Sequence, residues 1–234
     1  MSFLSDMFFI LPARIQEKLA EKFLDHNFRK NVKLDIRNME VLNGLKAPVI
    51  FIANHLSNLD GVVLNRILRD FDPHFVAGQK LSGNKFTNIF LRMMKTINIK
   101  PNSADIESMR EIVKTLRSGE NIMIFPEGTR SRTGSMIDAK KGILLIAKLS
   151  GATIVPIAMM GTEKVMPINK DGKMERELLR KGTVRIIFGE PFRLTEKKST
   201  ESKEEYERSS LEDIMKRIAV NLDPQYRGVY SLNE

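Results

Sequence analysis

Cysteine and tryptophan are absent from the 234 residues, and histidine occurs only three times. A chain without cysteine has no disulfide, no thiolate nucleophile and no thiolate metal site. The histidines, His26, His55 and His74, are far apart and lack the short spacing of zinc ligands, so we expect no metal site. No apolar run approaches the ~18 residues that a spanning helix needs. The first residues lack a basic leader and include Asp6, so we expect no secretory signal.

Three common motifs of nucleotide and hydrolase chemistry are also missing. The chain has no G-x-G-x-x-G dinucleotide fingerprint and no G-x-S-x-G nucleophile elbow. The stretch "GQKLSGNK" (78–85) is reminiscent of a phosphate loop, but Asn84 separates Gly83 from Lys85 and no Ser or Thr follows that lysine. These absences disfavour kinases, P-loop enzymes and serine hydrolases.

The overall composition is that of one globular domain with an anionic partner. Hydrophobic residues make up 42% of the chain and charged residues 29%, enough for both a core and a polar surface. The formal net charge of +9 suits nucleic acid, an acidic membrane surface or a phosphorylated substrate. Nucleic acid is the least favoured of the three, because the basic residues are scattered and aromatics make up only 7%.

Residues 1–32 have the pattern of apolar and amphipathic helices. After Pro12, the residues Ile15, Leu19 and Phe23 recur with a spacing of four, which predicts an apolar helical stripe. Basic residues accompany this stripe: Arg14, Lys18, Lys22, Arg29 and Lys30. Two interpretations stay open, a helix packed on the domain and a helix lying among lipid headgroups with its lysines near the phosphates.

Strand and helix patterns alternate through residues 33–234, which we assign to one catalytic domain. The predicted strands are 47–54, 74–78, 96–100, 121–125, 152–159 and 183–192. The predicted helices are 59–70, 85–95, 103–119 (with Ser103 as N-cap), 140–150 and 202–222. The charged stretch 170–182 is compatible with a loop or a short helix. This alternation predicts a single α/β domain, with a mixed, mostly parallel sheet flanked by helices and an N-terminal helical appendage.

A histidine and an aspartate follow the first predicted strand, in "NHLSNLD" (54–60). Their spacing places His55 in a loop and Asp60 in the first turn of the next helix. A carboxylate that accepts a hydrogen bond from one ring nitrogen leaves the other nitrogen as a base. The alternative is structural, because Ser57 and Asp60 also match a helix capping box.

A second loop, "FPEGTRSRTG" (125–134), follows the strand predicted at 121–125. Pro126 ends the strand and Gly128 permits a tight turn. The guanidinium groups of Arg130 and Arg132 are suited to binding phosphate, and Glu127 either braces them or meets a polar group of the substrate. The alternative is an exposed basic turn. If both strands are parallel, the two loops meet at the carboxyl edge of the sheet.

Together, N-H-x-S-x-x-D and F-P-E-G-T-R-S-R resemble the motifs of the 1-acylglycerol-3-phosphate acyltransferase family, with Pro156 in "TIVPIAM" resembling a third family segment. The resemblance covers about residues 47 to 160. It implies transfer of a fatty acyl group, from coenzyme A or acyl carrier protein and without a cofactor, to the hydroxyl of lysophosphatidic acid, giving phosphatidic acid. His55 would be the general base and Asp60 its orienting partner.

The resemblance also implies a set of substrate-binding residues, with Arg130 on the acceptor phosphate: Asn54, Ser57, Lys100, Glu127, Gly128, Thr129, Arg130 and Arg132. Where the family carries an arginine, this chain has Pro101, and Lys100 is the candidate replacement. The family works at membranes, so we expect peripheral binding to an anionic surface on the cytoplasmic face. Alternatives are another acceptor, such as glycerol 3-phosphate or another lysolipid, and a non-catalytic basic protein on the membrane surface.

Overall fold

The computed structural model of the chain describes residues 8–78, 85–100, 105–169, 177–197 and 199–231. One sheet contains the seven strands found in these residues, and β2 lies near its centre. The strands are β1 (Val32–Arg37), β2 (Val49–Ala53), β3 (His74–Gly78), β4 (Ile97–Ile99), β5 (Ile122–Ile124), β6 (Thr153–Met160) and β7 (Gly182–Phe188).

The strand order is β1-β7-β6-β2-β5-β3-β4. Strands β2 to β6 are mutually parallel, while β7 is antiparallel to β6 and parallel to β1. The carboxyl ends of five strands therefore share one edge of the sheet, and the predicted mixed, mostly parallel α/β fold is confirmed. Because β2 and β5 are hydrogen-bonded neighbours, with Ile52 opposite Ile124, the two motif-bearing loops leave the sheet side by side.

Helices cover both faces of the sheet. They are α1 (Ala13–Asn31), α2 (Leu59–Ile67), α3 (Lys85–Met93), α4 (Ile106–Arg117), α5 (Gly142–Ser150), α6 (Thr162–Val165) and α7 (Lys203–Ala219). Alternate residues of β2 belong to opposite hydrophobic clusters, as the two-residue period of a strand requires. Ile50 and Ile52 pack with side chains of α4, α5 and α7, whereas Phe51 packs with side chains of α1 and α2.

Most predicted elements are present with ends shifted by a few residues. The last helix begins at Lys203 with the capping box formed by Ser202 and Glu205. Strand β1 was not predicted. Ser103 and Pro101 lie outside the described residues, as do the loop 79–84 and part of the charged stretch 170–182. Asp105 occupies the N-cap of α4, where its carboxylate accepts the N–H of Ser108 at 3.2 Å.

Helix α1 packs against the domain through one side only. Phe28 is buried in the cluster shared with α2, and the Arg66 guanidinium lies 5.4 Å from the centre of its ring. In contrast, the predicted stripe of Ile15, Leu19 and Phe23 is exposed. No helix within the described ranges combines the length and the hydropathy needed to cross a membrane.

Candidate active site

His55 and Asp60 are in direct contact at the carboxyl edge of the sheet. His55 follows β2, and Asp60 is the second residue of α2. The Nδ1 atom of His55 lies 2.8 Å from Oδ2 of Asp60. A carboxylate accepts hydrogen bonds, so this contact selects the tautomer with hydrogen on Nδ1 and leaves Nε2 as the basic nitrogen.

The Asp60 carboxylate also organises the backbone of the histidine loop. Its Oδ2 atom accepts the N–H groups of Leu56 at 2.7 Å and Ser57 at 2.8 Å. The second of these bonds is half of the capping box that the sequence suggested. The other half is missing, because the Ser57 hydroxyl accepts the N–H of Leu59 instead of that of Asp60. Asp60 thus holds the loop that precedes the helix and orients the imidazole with the same oxygen.

The histidine ring is fixed on its face as well as at its edge. It stacks on Phe125, the first residue after β5, with ring centroids 3.9 Å apart and an angle of 14° between the planes. The side chain keeps 18% of its surface exposed, and Nε2 has no partner among the described residues. The ring therefore offers one unpaired basic nitrogen to a ligand.

Glu127 joins the two loops through the backbone. Its side chain is fully buried, and its carboxylate accepts the N–H of His55 at 2.9 Å and that of Ile137 at 3.2 Å. Burial raises the pKa of Glu127 to about 7, with a smaller contribution from the negative charge of Asp60, while the two backbone N–H groups act in the opposite direction. Glu127 was predicted to contact substrate or brace arginines, but its observed contacts position the histidine loop.

Asn54 and Ser57 were also predicted to bind substrate, and both side chains are buried. The Asn54 amide exchanges two hydrogen bonds with the backbone of Met159, at 2.9 and 2.8 Å, and so links the end of β2 to β6. The Ser57 hydroxyl donates to the carbonyl of Met166 at 2.6 Å. A contact with substrate would require these hydrogen bonds to break, because both side chains are committed to the scaffold.

Arg130 lies beside the histidine loop and forms an ion pair with a residue outside both sequence motifs. Its Nη1 atom donates to Oε1 of Glu177 at 2.8 Å, and Nδ2 of Asn58 donates to Oε2 of the same carboxylate at 2.6 Å. The Arg130 side chain is 18% exposed, whereas that of Glu177 is fully buried. Sequence reasoning missed Glu177 because it belongs to the charged stretch 170–182, where no periodicity or motif distinguished one acidic residue from another.

The remaining predicted residues lie on the same edge. Gly128 has a φ of +69° at the turn, which favours glycine, and Thr129 and Arg132 are exposed on the same loop. Lys100 follows β4, two strands from β5, or about 10 Å across the sheet at ordinary strand spacing. Groups of three or more His, Asp or Glu side chains suited to a metal ion do not occur in the part of the chain that the structure describes.

This arrangement combines an oriented base with a guanidinium on the adjacent loop. The Asp60 carboxylate would stabilise the imidazolium that forms when Nε2 takes a proton. Arg130 supplies a fixed positive charge with planar donors. The site is suited to activating a hydroxyl group on a molecule that also carries an anionic group.

Known proteins with similar sequences carry acyltransferase names. The chloroplastic 1-acyl-sn-glycerol-3-phosphate acyltransferase of Arabidopsis thaliana is 30% identical over 163 residues, covering 68% of this chain and 44% of its own length. The Bacillus subtilis enzyme named 1-acyl-sn-glycerol-3-phosphate acyltransferase is 29% identical over 143 residues, covering 61% of this chain and 66% of its own. The chain thus spans less than half the length of the plant relative.

A solved structure shares the fold. The 1-acyl-sn-glycerophosphate acyltransferase PlsC from Thermotoga maritima has a TM-score of 0.63 and 23% identity, and the match covers 94% of this chain and 88% of that one. The family model described as Acyltransferase matches residues 28–160, more than half of the chain and a range that includes both motif loops. The chain therefore belongs to the acyltransferase family.

Proposed function

We propose that the protein transfers a fatty acyl group from an acyl thioester, on coenzyme A or acyl carrier protein, to the free hydroxyl of 1-acyl-sn-glycerol 3-phosphate (lysophosphatidic acid). The products are phosphatidic acid and a free thiol. The contact between His55 and Asp60 carries this proposal, because it provides a base next to Arg130, which can hold a phosphate. The names of the relatives in Arabidopsis thaliana and Bacillus subtilis support the choice of acceptor.

In the proposed reaction, Nε2 of His55 removes the proton from the acceptor hydroxyl while the oxygen attacks the thioester carbonyl carbon. The resulting tetrahedral oxyanion collapses, the carbon–sulfur bond breaks, and the imidazolium returns its proton to the departing thiolate. Asp60 stabilises the imidazolium in between. Arg130 binds the acceptor phosphate and so sets the distance between hydroxyl and base.

We also propose that α1 places the site at an anionic membrane surface. The acidic residues of α1 face the domain: Glu17 pairs with Arg92, Glu21 with Arg69, and Asp25 with Arg66. The outer face consequently presents exposed apolar side chains and exposed basic ones, which are Ile15, Leu19, Phe23, Arg14, Lys18, Lys22, Arg29 and Lys30. Each basic residue near anionic lipid contributes about 1 kcal/mol to binding.

The direct experiment incubates the purified protein with an acyl thioester, lysophosphatidic acid and anionic vesicles. Released thiol is followed with a thiol reagent, and this readout has no background from the protein because the chain lacks cysteine. Phosphatidic acid is identified by mass spectrometry. Thiol release that depends on lysophosphatidic acid supports the proposal. Vesicle binding without thiol release would identify a non-catalytic surface protein, and preference for glycerol 3-phosphate would change the acceptor.

A further inference from the structure

The Glu177 carboxylate lies between two hydrogen-bond donors, one from each motif-bearing loop. One oxygen accepts from Arg130 and the other from Asn58, at 2.8 and 2.6 Å. Asn58 lies between His55 and Asp60 in the chain, so the carboxylate bridges the histidine loop and the arginine loop. The side chain is fully buried, and this shields the pair from water.

The contact is made from an anchored backbone. Three residues after Glu177, the N–H of Arg180 donates to the carbonyl of Val165 at 2.7 Å. Leu179, between them, is partly buried against the cluster that contains Phe51 and Leu64. Glu177 therefore reaches Arg130 from a segment held by α6 and the core.

The two donors match a phosphate as well as a carboxylate. A guanidinium and an amide N–H, each directed at one oxygen, are the groups that bind two oxygens of a phosphate monoester. Among described residues, Glu177 is the one hydrogen-bond partner of the Arg130 guanidinium, which has five N–H donors. Its remaining donors can receive a ligand that approaches from the exposed side.

We propose that Glu177 is an internal competitor for the anion position of Arg130 and Asn58, and that it weakens the binding of acceptors that carry a phosphate. This inference rests on the proposed function and deepens it. A phosphate monoester carries a charge of about −1.5 to −2 at neutral pH, which is more than that of the carboxylate it displaces. A phosphodiester headgroup carries a single charge and gains little from the exchange. Any acceptor that binds both donors must first displace Glu177, and this cost lowers its affinity.

The test uses Glu177→Gln, which keeps the shape of the side chain and removes its charge. We expect KM for lysophosphatidic acid to fall by about three- to tenfold, the range for removing one partly screened charge pair. The preference for lysophosphatidic acid over lysophosphatidylglycerol, a phosphodiester, should stay the same or grow, because the monoester gains at least as much as the phosphodiester when the competitor is removed. Glu177→Asp withdraws the carboxylate by about 1.5 Å and should lower KM by a smaller factor.

A matched variant separates this local effect from the change in net charge. Glu190 is exposed and lies just beyond β7, at the opposite edge of the sheet. Glu190→Gln makes the same charge change and should leave KM and selectivity unaltered. Unfolding midpoints of all three variants verify that they are folded. An unchanged or raised KM in Glu177→Gln overturns the inference, because it would mean that Glu177 is neutral toward the acceptor or holds Arg130 for it.

A binding measurement distinguishes failure of this inference from failure of the proposed function. Lysophosphatidic acid in neutral detergent micelles is titrated into each variant without thioester, so the readout needs no turnover. Tighter binding to Glu177→Gln than to wild type supports the competitor role, and equal or weaker binding overturns it. A wild type that binds lysophosphatidic acid but never releases thiol contradicts only the proposed function.

Discussion

The backbone N–H of His55 donates to Oε1 of Glu127 at 2.9 Å, across two loops separated by 72 residues in the chain. The His55 carbonyl is held by the same loop, through the N–H of Ser131 at 2.7 Å. Both backbone groups of the proposed base therefore depend on the loop that carries Arg130. Base and arginine form one unit, and substitutions in the two loops should not be additive in their effect on turnover.

The buried carboxyl of Glu127 predicts a pH dependence of stability. Its pKa is about 7 in the folded protein and 4.5 in the reference state, so the folded state binds more protons between these values. The free energy of unfolding should fall as pH rises from about 4.5 to 7, by on the order of 3 kcal/mol, and then level off. Urea unfolding of wild type and of Glu127→Gln at several pH values gives the slope of the unfolding free energy against pH. The difference between the two slopes is the contribution of Glu127. Equal slopes in both proteins would contradict it.

We expect substitution of Asn54 to lower the stability of the fold more than it affects binding of the substrate. Replacing it with Ala leaves the N–H and carbonyl of Met159 buried without their partner. We expect the free energy of unfolding to fall by about 2–4 kcal/mol. Asn43→Ala, at an exposed position, should change it by less than about 0.5 kcal/mol. An Asn54→Ala protein with normal stability but a raised acceptor KM would support the predicted role in binding.

Arg130 should act on the phosphate of the acceptor. Arg130→Ala should raise KM for lysophosphatidic acid by about 10- to 100-fold, the range for one charge-assisted hydrogen bond. It should have little effect on KM for monoacylglycerol, which lacks the phosphate. The matched control is Arg193→Ala, which removes an exposed arginine located after the end of β7. Equal losses with both acceptors would assign Arg130 to another task.

The outer face of α1 should determine vesicle binding. The double substitution Leu19→Ser and Phe23→Ser should weaken binding to anionic vesicles by about 10- to 100-fold, because two apolar side chains no longer insert. Leu145 and Leu149 provide the control pair, since they are also exposed and lie four residues apart, but on α5. Their replacement by Ser should have no effect. Similar losses from both pairs in a sedimentation assay would exclude α1 as the specific contact.

The sequence allowed the sheet and the meeting of the two loops to be predicted, because β2 and β5 are buried apolar runs with a polar motif at the end of each. Strand β1 was not predicted, although Val32, Leu34 and Ile36 alternate with charged residues as in a half-buried strand. The alternation lasts only six residues, follows directly on the helix that ends at Asn31, and belongs to an edge strand. The periodicity and composition of a sequence indicate which segments are buried. An edge strand is only partly buried, so its pattern is harder to recognise.

The roles within the site were harder to predict than its location. A motif gives residue types, but it does not tell which side chains turn inward, as Asn54, Ser57 and Glu127 do. Glu177 depends on tertiary contacts from a segment without any motif, so no local pattern could identify it. The contact between His55 and Asp60 was predictable because a loop and the first helical turn after it fold back on each other within five residues.

The most direct test of the central claim is the turnover of His55→Ala with saturating acyl thioester and lysophosphatidic acid. The backbone contacts of His55 with Glu127 and Ser131 do not involve the ring, so this variant should fold with an unfolding midpoint close to that of wild type. The account predicts that kcat for thiol release falls by ~10²–10⁴ while vesicle binding is retained. A folded His55→Ala protein that releases thiol at a rate near that of wild type would contradict the assignment of His55 as the general base.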